Sequence, residues 1–392
     1  EGSELASATI NLWASPLFMN HHLQPAEDLW VVDTTQCFGS NAPFLAGYDA
    51  ALGAERVKRI SGPDYDCDRW YQDEPEYANA LGDDGHRLKM VIDSIRDRGL
   101  DNVPEDQHYG PDYGIVTRGS QPKSTYDSFG NLEATPPVTV DGVDYPYGRI
   151  YYGRHNGTGL HSELAEFLAA QELQKPFEID TTWLCVGHVD EWMSWVPDPS
   201  SPKGFKMIYG DIDLGYALLE DMPADTVLPR YEDHGYGTVE EILADANLRA
   251  YNEDIRDDYL LPIKQKFMEE AGLEESDFLA MPSLFERLGN CGGTGLALIP
   301  GMANLNVVNF GEGDNHLLIP DPFLRTDDND LESDPVIEHV TAMMPDGLQV
   351  HYIDDWNSYH LQYGEVHCGT NIQRTPLVED WWNAGAHLME GN

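Results

Sequence analysis

The sequence predicts a single mixed α/β domain. Short apolar, strand-like runs alternate with helical stretches along the chain. Pro and Gly recur at short intervals, and no low-complexity linker divides the 392 residues. Hydrophobic residues make up 41%, and the 9 tryptophans are spread over the length, which is a globular composition. No fixed-period repeat is visible, so a solenoid is not expected.

The elements follow in order. Leu29-Trp30-Val31-Val32 and Val350-His351-Tyr352-Ile353 read as buried or half-buried strands. Leu160, Leu164, Phe167 and Leu168 are spaced for one helix face. A helical stretch runs from about Leu248 to Ala271, where Pro262 kinks or restarts it. Gly272 stands where a C-cap would. Ser333 precedes another helix, with Ile337, Val340 and Met344 on its apolar face.

Charge narrows the partners. The formal net charge of -46 repels nucleic acid over the whole surface. No run of about 18 apolar residues offers a membrane span. Such acidity suits salty or extracellular surroundings, and some carboxylates are candidate cation ligands. A chain beginning at Glu1 fits a processed or trimmed product, and the acidic surface is the ground for expecting a secreted or extracellular, soluble protein. Thr326-Asp327-Asp328-Asn329-Asp330 lacks the Gly and closing Glu of an EF-hand and reads as a surface loop. The 5 cysteines show no C-x-x-C spacing, which argues against structural zinc. Their odd number leaves at least one thiol free unless chains pair. Oligomeric state is not legible.

Reactive groups gather in four segments: Asp68 to Glu76, Val91 to Arg98, Val186 to Glu191, and Gly364 to Asn371. Cys368, between His367 and Gly369, reads as an exposed thiol just after a strand, and it needs a cation or proton acceptor nearby to ionise. His188 is a candidate partner. His188 and Asp190 would share one face of a strand. Asp73 near Trp70 suits a planar cation, held by the carboxylate and covered by the ring. Two carboxylates, Asp73 and Asp190, could hold one guanidinium with a cysteine aimed at its carbon.

In this order the segments resemble the catalytic domain of the calcium-dependent protein-arginine deiminases. The resemblance runs from Ala14-Ser15-Pro16 through Trp70-Tyr71-Gln72-Asp73-Glu74, Gly110-Pro111-Asp112-Tyr113-Gly114 and Phe129-Gly130-Asn131-Leu132-Glu133. It continues through Tyr147-Gly148-Arg149-Ile150, Val186-Gly187-His188-Val189-Asp190-Glu191 and Pro320-Asp321-Pro322-Phe323 to Gly364-Glu365-Val366-His367-Cys368-Gly369-Thr370-Asn371. It implies the five-bladed α/β propeller of the pentein superfamily. It implies Cys368 as nucleophile, His188 as general acid/base, Asp73 and Asp190 on the guanidinium, and Trp70 lining the side-chain tunnel. Arg96 and Arg98 match positions that hold the substrate backbone, so arginine-containing peptides or proteins are the implied substrates.

The resemblance also implies calcium. One site matches Gln72, Glu76 and Glu133, with the carbonyls of Phe129 and Leu132. The other matches Glu74, Asp93, Ser94 and Asp97. Oxygen-only sets suit this hard cation. Unlike the animal enzymes, residues 1–392 are expected to form one catalytic domain without immunoglobulin-like domains. Asp97 stands where Asn is expected, and Gln362 and Tyr363 replace basic residues. The expected reaction is calcium-dependent hydrolysis of peptidyl-arginine to peptidyl-citrulline and ammonia through a thiouronium on Cys368. The alternative is a pentein deiminase of free arginine or another small guanidine.

Overall fold

The computed structural model describes residues 15–82, 85–311, 313–378 and 380–389. Ala14 therefore lies outside the described residues. The apolar run around Trp30 forms the strand Ala26–Asp33, and the run around Tyr352 forms Gln349–Ile353. Leu164 and Leu168 bury one face of the helix Ser162–Ala169, while Leu160 packs just before it. The long helical stretch is Ala246–Ile255, then a wide turn Arg256–Leu260, then Leu261–Glu270 with Pro262 in its first turn. Pro is accommodated there where the wide turn before it departs from the regular α-helical hydrogen-bond ladder. The helix expected after Ser333 is Pro335–Met343. Its cap is Asp334, whose Oδ1 accepts from the amides of Val336 and Ile337. Residues 326–330 form a largely exposed loop, as expected.

Among the described residues, five sheets repeat one pairing pattern: a central strand has an antiparallel neighbour on one side and a parallel one on the other. In the first, Arg87–Asp93 lies between Pro75–Leu81 and Tyr113–Thr117, with Leu17–Met19 added at the edge. In the second, Ile150–Arg154 lies between Leu132–Ala134 and Phe177–Asp180. In the third, Phe205–Asp211 lies between Met193–Pro197 and Phe278–Pro282. In the fourth, Asn315–Pro320 lies between Asn306–Asn309 and Gln349–Ile353. The fifth joins distant parts of the chain: Ala26–Asp33 pairs antiparallel with Thr370–Arg374 and parallel with Val57–Ser61. A parallel pair needs a crossover, and helices such as Ala42–Leu52 and Pro335–Met343 supply it. The sequence shows no repeat because this pattern is made by backbone pairing, which many side-chain sets satisfy.

Trp192, Trp195 and Trp356 lie in the largest apolar cluster, where Trp195 Nε1 donates to the Tyr151 hydroxyl at 3.0 Å. Cys37 pairs with Cys67 and Cys185 with Cys291. No helix among the described residues is long and apolar enough to cross a membrane.

Candidate active site

Cys368 is the one free thiol among the described cysteines. It sits in the turn before Thr370–Arg374, not after a strand, and it is buried, not exposed, with 5% of its surface accessible. Asn304 builds that turn. Its Oδ1 accepts from the amides of His367 (2.8 Å) and Cys368 (3.2 Å), while its Nδ2 donates to Cys368 Sγ (3.3 Å) and to the Asp190 carbonyl (2.9 Å). The thiol lies 3.5 Å from Asp190 Oδ2. Burial, then the Asp190 charge, hold the thiol well above its ordinary pKa.

His188 and Asp190 do face one site, but not from a strand. His188 precedes a single 3-10 turn, Val189–Glu191. Glu191 Oε1 fixes this turn by accepting from the amides of Gly187 (2.9 Å) and His188 (2.7 Å). Gly130 packs against both side chains. A Cβ there would lie 2.7 Å from His188 Nδ1 and 3.0 Å from Asp190 Oδ1, so only glycine fits. His188 Nε2 donates to the Thr125 carbonyl at 2.9 Å, which leaves Nδ1 facing Asp73 Oδ1 at 3.7 Å. Asp190 Oδ2 meets His367 Nδ1 at 2.9 Å, while its Oδ1 is buried with no hydrogen bond.

Asp73 ends the turn Tyr71–Asp73, and its Oδ2 accepts from Arg98 Nη1 at 2.7 Å. Arg98 is also bidentate on Asp68. Arg98 is thus committed to two carboxylates in this conformation. Arg96 donates to Ser128 Oγ at 2.9 Å. Trp70 meets Tyr359 edge to face and covers Gly364, where a Cβ would lie 2.4 Å from the indole.

The first calcium candidate set is assembled. Gln72 Nε2 donates to Glu76 Oε2 (3.0 Å) and to the Phe129 carbonyl (3.2 Å), and Leu132 and Glu133 follow on the adjoining strand. Burial raises Glu133 to about 8, and burial with the Glu133 charge raises Glu76 well above the carboxylate range. The second set is assembled in part. Burial, then Asp93, raises Glu74 to about 9, and burial raises Asp93 to about 6. Ser94 Oγ donates to the Asp127 carbonyl at 2.8 Å. Asp97 is exposed and paired with Lys123, and among the described residues no hydrogen bond or ion pair joins it to Glu74, Asp93 or Ser94. Gln72 Oε1, Glu74 Oε1, Asp93 Oδ1 and Glu133 Oε1 are buried without hydrogen-bond partners. Orphaned hard oxygens in both sets fit a calcium ion.

Sequence reasoning missed Asn304, Asp68 and the contacts of His367. His367 carried a signal through its place beside Cys368, and Asp68 through its place at the head of a reactive segment. Asn304 sits in a loop with no reactive neighbour in sequence.

A model of the protein-arginine deiminase (PAD) family matches residues 4–383. The human protein-arginine deiminase type-4 is 33% identical over 400 residues, covering 94% of this chain and 55% of that protein. The human type-1 relative is 33% identical over 412 residues, covering 97% and 57%. This chain therefore spans little more than half the length of these curated relatives. The structure of an agmatine deiminase of Enterococcus faecalis aligns over 92% of this chain and 97% of that one, with a TM-score of 0.50 and 12% identity, which speaks to fold alone. Over nearly its whole length, then, this chain belongs to the protein-arginine deiminase family.

Proposed function

We propose that this chain hydrolyses peptidyl-arginine to peptidyl-citrulline and ammonia, with Cys368 as nucleophile. The observation that carries this is the convergence of a lone free thiol, His188 and two carboxylates, one oxygen of which is buried and unpaired. That oxygen calls for a planar N–H donor, which a guanidinium supplies.

Asp73 and Asp190 hold the guanidinium between them, and Trp70 lines the passage of its side chain. The bound cation lowers the pKa of the Cys368 thiol, which the empty site holds high. The thiol gives its proton to solvent as the cation binds, and the thiolate attacks the guanidinium carbon. His188 gives a proton to the departing nitrogen, the C–N bond breaks, and ammonia leaves. His188 then takes a proton from water, whose oxygen attacks the thiouronium carbon. The C–S bond breaks and releases citrulline and the cysteine. Neutral citrulline leaves a site built for a cation.

Gln72, Glu76, Glu133 and the Phe129 and Leu132 carbonyls would hold one calcium ion, and Glu74, Asp93 and Ser94 would hold another, with Asp97 turning inward to join them. Calcium there supplies positive charge that neutralises the acids flanking Asp73 and orders their segment. The five repeated sheets support a reading as five blades round one axis, forming one catalytic domain. Two disulfides support an oxidising, extracellular compartment. The test is mass spectrometry of an arginine peptide and of free arginine, each with calcium and with chelator. A one-dalton gain on the peptide, dependent on calcium, is expected. Turnover of free arginine as fast as of the peptide would favour a small-guanidine deiminase instead.

A further inference from the structure

We propose that His22, His367 and Glu133 form a binding site for a first-row transition cation such as Zn²⁺, distinct in its ligand chemistry from the oxygen-only calcium sets. The three residues lie within 4.8 Å of one another through their ligand atoms, and all are buried. His22 Nε2 is 2.9 Å from Glu133 Oε2, and His367 Nε2 is 3.6 Å from Glu133 Oε1. Ligands 2.0–2.1 Å from a tetrahedral zinc stand about 3.3 Å apart, so these separations bracket the required spacing.

The outer contacts are those of a metal site. His367 Nδ1 faces Asp190 Oδ2 at 2.9 Å, and His22 Nδ1 faces Ser194 Oγ at 3.0 Å. Each ring is thus oriented through Nδ1, and each Nε2 points toward the same carboxylate. A carboxylate behind a histidine fixes its tautomer and strengthens it as a ligand. A carboxylate cannot donate, so His367 gives it the Nδ1 proton. Its Nε2 is turned to Glu133 Oε1 at 3.6 Å, and that oxygen has no hydrogen bond of its own. A cation between them would be bound by both atoms. The adjoining cavity, about 20 Å³ and also lined by Glu76 and Asn371, has room for the one water that would complete four-coordination. Arg374 lines this cavity too, but its guanidinium donates to the carbonyls of Gln24 (2.9 Å) and Val307 (2.7 Å).

The site stands on its own residues; its competition with calcium for Glu133 rests on the deiminase reading. The test is titration of the metal-free protein with Co²⁺, read by visible absorption, which reports imidazole ligation without any enzyme assay. One equivalent is expected to bind with an intense low-symmetry spectrum. His22→Gln should remove that spectrum, and Ser194→Ala should weaken binding about tenfold or more. His316→Gln is the control, because His316 Nδ1 and His351 Nε2 lie 3.0 Å apart elsewhere in the fold. Unchanged binding in His22→Gln and Ser194→Ala, or loss in His316→Gln alone, would overturn the site. Calcium at millimolar concentration should displace the cobalt. Failure to do so would overturn the shared use of Glu133, whatever the outcome of the citrulline assay.

Discussion

Asp73 and Asp190 flank the same candidate pocket, yet the protein holds them differently. Asp73 is buried, at 9% exposed, and is held by Arg98, a side chain that is itself a quarter exposed. Asp190 is 2% exposed, touches the cysteine thiol, faces a histidine, and keeps one oxygen unpaired. Asp73 is paired with the Arg98 guanidinium, which on the proposed reading an incoming guanidinium would replace like for like. Asp190 is tied to the Cys368 thiol. On that reading one carboxylate is an exchangeable docking point and the other belongs to the surroundings of the thiol.

The bluntest way to break this comparison removes the thiol that makes Asp190 special. Cys368→Ser is expected to lower turnover by about a thousandfold or more, since a hydroxyl ionises far less readily and charge partners cannot replace the sulfur. Circular dichroism should show an unchanged fold. Turnover within tenfold of the parent would remove Cys368 from the mechanism.

Next come the carboxylates themselves. Asp73→Asn and Asp190→Asn should each lower kcat/KM by about a hundredfold, the scale of losing one partner of a desolvated charge pair. The two should divide in kind. Asp190→Asn also disturbs His367 and the thiol, so its loss should fall more on kcat, and Asp73→Asn should fall more on KM. Steady-state kinetics on one peptide with both variants decides it; identical kcat and KM patterns would erase the distinction.

A smaller effect is expected from Arg98→Gln. It frees Asp73 but removes the group matched to substrate-backbone binding. KM for a peptide should rise several-fold, while a small guanidine without a peptide backbone should bind no worse. Equal weakening of both ligands would mean that Arg98 only shapes the Asp73 side chain.

The smallest effect is on stability. The folded protein without calcium keeps protons that the unfolded chain has lost, on Asp93 up to about 6, on Glu133 to about 8 and on Glu74 to about 9. Raised carboxylates stabilise below their ordinary range, and that stability is lost as pH rises through the folded values. In chelator, Tm should therefore fall by a few degrees between pH 5 and 9, on the order expected for about 1–2 kcal/mol in a chain of this size. Calcium should stabilise more as pH rises, because protons no longer compete for its ligands. Glu74→Gln should flatten the slope in chelator, measured by scanning fluorimetry. An unchanged slope would assign the pH effect to the general acidic charge.

Legibility varied with the kind of contact. Strands with long apolar runs, such as Ala26–Asp33, could be read because burial on both faces selects such residues. Pro262 could be read because its ring constrains any helix. Asp73 and its flanking acids stand out in the sequence because reactive groups crowd one short segment. His188 and Asp190 were placed on one face by strand alternation, and they share one through a tight turn instead. Asn304 left no trace, since its amide gains meaning only when two loops meet around it. Asp97 matched a ligand position by sequence, yet a lysine holds it outward, a competition that spacing does not encode.

The fifth sheet bears on how this protein is made. Its antiparallel pair joins Trp30 to Asn371, and the cysteine turn leads directly into the later strand. A ribosome delivers Ala26–Asp33 long before Thr370–Arg374. The early strand must therefore wait with one edge unpaired, open to wrong partners, until the late one emerges. Cys368 arrives just ahead of that later strand. A nascent chain stalled before it carries neither the pairing strand nor this thiol, so the sheet and the candidate site are completed together.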